Sequence, residues 1–141
     1  MKSMKMLMIL LIAVAAVGGG AMYFLKDTTA EAETEKAPSA EEIAAMSVDT
    51  DIITTNLASA NNYAVVQFNI LLSSEKAKEA TEKRHAQVRA AIISTVAGFE
   101  KDQLVGKEGI SLLEKELTLK LNEIVQEGKV ERVLVTEFKL Q

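Results

Sequence analysis

From Met6 to Leu25 the chain carries no charged residue and reads MLMILLIAVAAVGGGAMYFL. A run of about twenty apolar residues makes a helix of roughly 30 Å, the thickness of a bilayer's hydrocarbon core. One membrane-spanning helix is the expectation, with Met6, Leu7, Ile9, Leu10, Leu11, Ile12, Val14, Val17, Tyr23, Phe24 and Leu25 as the anchoring side chains. Lys2 and Lys5 precede the run; Lys26 follows it, but then come Asp27, Glu31, Glu33 and Glu35. Basic residues favour the cytoplasmic side, so the N-terminus is expected inside and the C-terminal bulk outside. Tyr23 suits the outer boundary, its ring apolar and its hydroxyl wet. A cleaved signal peptide would share the small residues Gly18 to Ala21, but its apolar core would be shorter; here it continues through Met22, Tyr23, Phe24 and Leu25. If the run spans the membrane, Ala16→Lys is expected to disfavour insertion by about 2.5–3.5 kcal/mol. Carbonate extraction checks this: the variant shifts toward the soluble fraction and the parent chain stays in the pellet.

The chain has 141 residues. Setting residues 1–47 aside leaves roughly 95 residues, enough for a modest core without metals or disulfides. There is no Cys, which excludes a disulfide framework, a thiolate metal site, a Cys nucleophile and a lipoprotein anchor. A net charge of -4 is poor equipment for neutralising phosphates, so no nucleic-acid partner is expected. One His and no Trp leave little for catalysis or for an aromatic binding platform.

Asp27 to Ala45 is rich in Thr, Ala and Glu, holds Pro38 and has almost no large apolar residue. Such a stretch does not recover its ordering entropy by burial and reads as a flexible acidic spacer, with a short helix open to it around Glu41 to Met46. The expected organisation is an inner tail at 1–5, a membrane helix at 6–25, a spacer at 26–47 and an outer domain at 48–141.

Within that domain Val48 to Ala58 is rich in β-branched residues and reads as a strand. Ser59 to Asn62 supplies turn chemistry, and Tyr63 to Leu72 is the strongest strand in the chain. Its Ala64, Val66, Phe68, Ile70 and Leu72 fall on one face, with Gln67 and Asn69 on the other. Ser73 or Ser74 then caps a helix running to about Ala97, with Val88, Ala91, Ile92, Thr95 and Phe99 as core face and a solvated first half. Gly98 marks its end. After a short segment to Val105, a second amphipathic helix is expected from about Glu108 to Glu127. Its stripe is Ile110, Leu113, Leu117, Leu121 and Ile124, and Gly128 is its C-terminal cap. Val130 to Leu140 reads as a third strand with Leu134, Phe138 and Leu140 on one face. The order β-β-α-α-β gives an α+β class with a mixed sheet and helices packed against it.

Several fragments imitate catalytic motifs. Ser73-Ser74-Glu75-Lys76 matches S-x-x-K without the companion motifs of that hydrolase class. Gly106-Lys107-Glu108-Gly109 is no P-loop, lacking the upstream Gly and the Ser or Thr after Lys. Asp49 and Asp51 are read as a solvent-facing pair without a third ligand, and His85 as a surface residue with no second imidazole or thiol to complete a nucleophile–base pair. No catalytic residue, metal, cofactor or small-molecule substrate is expected. Contact is the expected mode of action. The candidate surface comprises Glu41, Glu42, Ile43 and Asp49 near the spacer, and Glu75, Lys78, Glu82, Arg84 and Arg89 on the first helix.

A run of ordered matches then resembles the flagellar basal body-associated protein FliL family. Thr55-Asn56-Leu57 precedes the hairpin, and Tyr63 leads into Val65-Val66-Gln67-Phe68. Glu82, Arg84, Val88-Arg89 and Ile92-Ile93 follow, then Leu104, Gly106, Gly109, Leu113, Glu116, Leu117 and Asn122. The end is Gly128-Lys129-Val130, then Val133-Leu134-Val135-Thr136-Glu137-Phe138, closing on Gln141. The resemblance implies a single-pass inner-membrane protein of the flagellar motor whose outer domain is similar to the stomatin/prohibitin fold. It implies self-association into a ring around the stator units and support of torque, swimming or swarming. Without the resemblance, the residues alone equally allow a generic single-pass adaptor or envelope stabiliser, and less readily a small tethered enzyme.

Overall fold

The structure, a computed structural model, describes residues 36–141. The apolar run Met6 to Leu25 lies outside the described residues, and among those described no helix is long and apolar enough to cross a bilayer. Helix α1 (Ala40–Ala45) stands within the stretch expected as spacer. Ser39 caps it: Glu42 N–H donates to Ser39 Oγ at 3.2 Å, and Ser39 N–H donates to the Glu42 carboxylate at 2.7 Å. This reciprocal box satisfies two of the orphan donors at a helix start.

Strand β1 (Ser47–Asp49) and strand β2 (Ile53–Asn56) occupy the segment expected to be one strand. Both pair antiparallel with β3 (Tyr63–Leu72), and β4 (Val130–Leu140) pairs antiparallel along nearly all of β3. A strand has two edges, so β1 and β2 share one edge of β3 and β4 takes the other. Asp49 faces Asn69 and Ile53 faces Val66, which leaves residues 50–52 opposite residues 67 and 68. That extra residue is a β-bulge, and it is why the expected single strand is broken. Thr50 plugs it. Its N–H donates to the Phe68 carbonyl at 2.9 Å, its Oγ1 accepts from Phe68 N–H at 3.0 Å, and its carbonyl accepts from Gln67 Nε2 at 2.9 Å. The sheet is antiparallel throughout rather than mixed: β1 runs on into β2 through the bulge, β2 turns back into β3, and the long helical return brings β4 antiparallel to β3.

The face expected of β3 is the core face: Ala64, Val66, Phe68, Ile70 and Leu72 are all fully buried. In β4 the expected face fails for Leu134, which is exposed, while Val130 and Val133 are buried. The register with β3 shifts between Gln67 and Phe68 and again between Leu71 and Leu72, which inserts Thr136 and Glu131 as unmatched residues. Each insertion reverses the alternation, so Val133 and Val135 share the core side with Phe138 and Leu140.

The helices cover that side. Ser74 caps α2 (Glu75–Glu82), and a break at Lys83 and Arg84 separates it from α3 (His85–Ala97), so the expected single helix is two. The first half is not solvated all round: Ala77 and Thr81 are buried, Thr81 Oγ1 donating to the Ala77 carbonyl at 2.7 Å. On α3, Val88, Ala91 and Ile92 face the core as expected, and Val96 takes the place given to Thr95. A 3₁₀ turn (Lys101–Leu104) buries Leu104 and leads into α4 (Gly106–Asn122), which buries Leu113, Leu117 and Leu121. Ile110 and Ile124, expected on the same stripe, are only half-buried.

Helix α4 ends at Asn122, short of the expected Glu127, because Asn122 turns to the next strand. Its Nδ2 donates to the Val130 carbonyl at 3.1 Å, and its Oδ1 accepts from Val130 N–H at 2.9 Å. Gly128 is therefore no helix cap. It sits in the return loop at φ +69, where a Cβ would lie 2.4 Å from Ser73 Oγ. The α4 helix packs on β4, and α3 packs on both α4 and β2, which closes one core between the sheet and three helices.

Candidate contact surface

Most of the candidate residues fall in three places. Glu41 and Glu42 lie exposed on α1 with Ile43 half-buried beside them. The hydrogen bond from Ser39 N–H, joined by the one with the Ser39 hydroxyl, holds the Glu42 carboxyl below the usual carboxylate range. A depressed folded value means that the capping contribution is present above the ordinary carboxylate pKa and is lost as pH falls through the lowered one. Acidification is expected to fray α1 before the sheet, read as a falling amide protection factor at Ile43 and Met46, whose N–H groups donate to Ser39 and Glu42 carbonyls.

The second place is a cleft of about 260 Å³ between the β1–β2 edge and the helices α2 and α3. It brings together Asp49, Glu82 and Arg89 from the expected set. Thr50 and Asp51 from the bulge and Thr81 and His85 from the helices complete its rim, above an apolar floor of Val48, Ile53, Val88 and Ile92. Asp49 lies at the lip, its carboxylate accepting from Asn69 Nδ2 at 2.7 Å. Glu82 is in loose contact with half-buried Lys78 at 4.0 Å, a solvent-accessible pair of small energetic weight. Asp51, read from sequence as half of a solvent-facing pair with Asp49, and His85, read as a surface residue, are drawn in by two features that periodicity does not reveal. The bulge re-aims residues 50–52, and the break at Lys83 and Arg84 places His85 at the first turn of a new helix.

Arg84 belongs to the third place, on another face. Its guanidinium donates to Gln126 Oε1 at 2.6 Å and to Gln87 Oε1 at 3.2 Å, tying the α2–α3 junction to the loop after α4. Glu75 is exposed at the start of α2 and joins neither group. The motif imitations are occupied by structure. Ser74 Oγ accepts from Ala77 N–H at 3.1 Å as a helix cap, and Ser73 Oγ accepts from Lys129 N–H at 3.0 Å. Among the described residues no three His, Asp or Glu side chains are placed to hold a metal ion.

Many residues that carry the family resemblance sit at joints of the fold. Asn122 pins Val130, Gly109 lies against the backbone of Leu104, and Gly128 meets Ser73. At the far end of the sheet Tyr63 and Gln141 exchange backbone hydrogen bonds of 2.9 Å each, and Tyr63 Oη donates to Gln141 Oε1 at 2.6 Å.

Fold and surface together define a small α+β domain: one antiparallel sheet, three covering helices, and a charged cleft along one sheet edge. The family model described as "Flagellar basal body-associated protein FliL" matches residues 47–141. The "Flagellar protein FliL" of Bacillus subtilis (strain 168) is 43% identical over 126 residues, which covers 89% of this chain and 88% of that protein. The "Flagellar protein FliL" of Aquifex aeolicus (strain VF5) is 30% identical over 79 residues, 56% of this chain and 49% of that protein. The chain belongs to the FliL family of flagellar basal body-associated proteins.

Proposed function

We propose that this protein is a non-catalytic accessory of the bacterial flagellar motor. It is held in the cytoplasmic membrane by residues 6–25, with residues 1–5 inside and the domain from 48 to 141 outside, and it assembles as a ring around stator units to support torque and motility. The observation that carries the reading is the family match over the whole folded domain together with the relative that covers most of the chain. The uncharged run before the domain supports the anchor, and the stomatin/prohibitin-like character of the outer domain belongs to the same proposal.

The physics of such a device is simple. A ring closes by heterologous contacts, each copy presenting two different surfaces. Confinement to a membrane raises the local concentration of copies, so weak pairwise contacts suffice. The segment from Glu41 to Thr50, where the chain enters the domain, is the part placed to meet a stator's membrane-proximal linker. By linkage it favours the active stator only if it binds that state more tightly than the inactive one. A deletion strain tests the function: loss of swimming or swarming with an intact envelope supports it, and normal motility overturns it. Imaging of a tagged copy tests the place, because its foci should coincide with stators and disperse in a stator-less strain.

A further inference from the structure

The two free edges of the sheet are built differently. The β4 edge carries two bulges and the Glu137–Lys139 ion pair at 2.6 Å. Its Val135 N–H donates to the Glu114 carboxylate at 2.9 Å. These are devices that block pairing with another strand. The β1–β2 edge carries one bulge, at Thr50, and no side chain caps the outward backbone of its strand β1 as Glu114 caps Val135. Leu72 N–H donates to the Met46 carbonyl and Thr50 N–H to the Phe68 carbonyl. Antiparallel alternation then turns the backbone groups of Ser47 and Asp49 outward, without a partner among the described residues. Beside them opens the 260 Å³ cleft with its apolar floor, and Ile52 next to it is 54% exposed.

Charge sharpens the asymmetry. Between Lys36 and Lys76 the chain has no Lys or Arg, while Glu41, Glu42, Asp49, Asp51 and Glu75 all fall there. The strand side of the cleft is thus purely acidic, and Glu82, His85 and Arg89 stand across it on the helix side. A groove between an edge strand with free backbone groups and a helix is the geometry in which extended peptides bind by adding a strand, with alternate side chains dropping into the groove.

We propose that the β1–β2 edge receives an extended basic segment of a partner protein, which pairs with the backbone of Ser47 and Asp49. One apolar side chain enters the cleft over Val48, Ile53, Val88 and Ile92, and its flanking Lys or Arg residues meet Asp49 and Asp51. The chain's own spacer does not fit this role, being acidic and without large apolar side chains between Asp27 and Ala37. The inference rests on the reading that the domain acts by contact, and it names the mode of contact.

The test uses the full chain in nanodiscs of zwitterionic lipid and a fluorescent peptide alternating lysine and valine. A second peptide carries N-methyl groups on alternate backbone nitrogens, which removes strand pairing but keeps every side chain. The methylated peptide is expected to bind about tenfold more weakly or worse, the loss of one or two backbone hydrogen bonds. Asp51→Lys, a change at an exposed side chain, is expected to weaken the parent peptide, and a glutamate–valine peptide is expected not to bind. Absence of binding by the parent peptide, or equal affinity of the methylated one, overturns strand addition. So does exclusion of the peptide by a second copy when discs are loaded more densely. The motor reading stands or falls separately, on the deletion strain.

Discussion

Gly109→Ala is expected to cost roughly 3 kcal/mol or more, at the upper end of what overpacking exacts. A Cβ built on Gly109 would lie 2.4 Å from the Leu104 carbonyl carbon, 2.6 Å from its Cα and 2.7 Å from the Gln103 carbonyl oxygen. All three are backbone atoms of the 3₁₀ turn, so no side-chain rotation relieves the contact. Either α4 withdraws from the turn or the turn distorts, and both pull fully buried Leu104 and Leu113 out of register. Gly106, three residues earlier, is the internal control. It has φ +75 but open space, its nearest neighbour being a Glu108 carboxylate oxygen at 3.7 Å. Gly106→Ala should therefore cost only the left-handed backbone, about 1–2 kcal/mol. Thermal unfolding of the pair checks the order. Equal shifts would mean that the close approach of α4 to the turn is not what Gly109 provides.

The same glycine shows what a sequence conveys and what it withholds. The helix expected from about Glu108 starts two residues earlier, at Gly106; one glycine opens it and the other, Gly109, lets two backbone segments touch. Alternation in β3 was legible because that strand is regular along its core face. In β4 the same alternation misassigned Leu134. Two inserted residues change parity without changing composition, and only pairing with β3 reveals them. The bulge at Thr50 hides in a run of β-branched residues for the same reason, and the cleft hides with it. Charge at Asp49, Glu82 and Arg89 was visible, yet Asp51 and His85 join them only once tertiary structure bends the strand and breaks the helix. The Gly128 assignment failed through a local rule correctly applied to the wrong neighbour. Gly128 does have a positive φ, and a Cβ there would meet Ser73, but it lies in the return loop because Asn122 has already ended the helix.

Phe68→Ala is expected to remove about 3–5 kcal/mol, the combined loss of transfer energy and an unfilled cavity under a fully buried ring. For a domain of this size that lowers Tm by roughly 10 °C or more. Phe68 is where the sheet is least regular on both sides. The Thr50 bulge abuts it on one edge, and the register with β4 shifts immediately before it on the other. Paired bulges strengthen local twist, and the ring at that point fills the layer between sheet and helices as part of the buried core. Phe68→Leu keeps most of the volume and should lose less than half as much. The functional consequence follows from the proposed anchor. A membrane-held chain whose outer domain is unfolded keeps its place in the bilayer but loses the β1–β2 edge, because Thr50 is tied to the backbone of residue 68. The Phe68→Ala strain is accordingly expected to retain membrane-bound protein in fractionation at permissive temperature and to lose motility on warming before the Phe68→Leu strain does. Parallel loss of both at the same temperature would show that the core at Phe68 does not set the working stability of the domain.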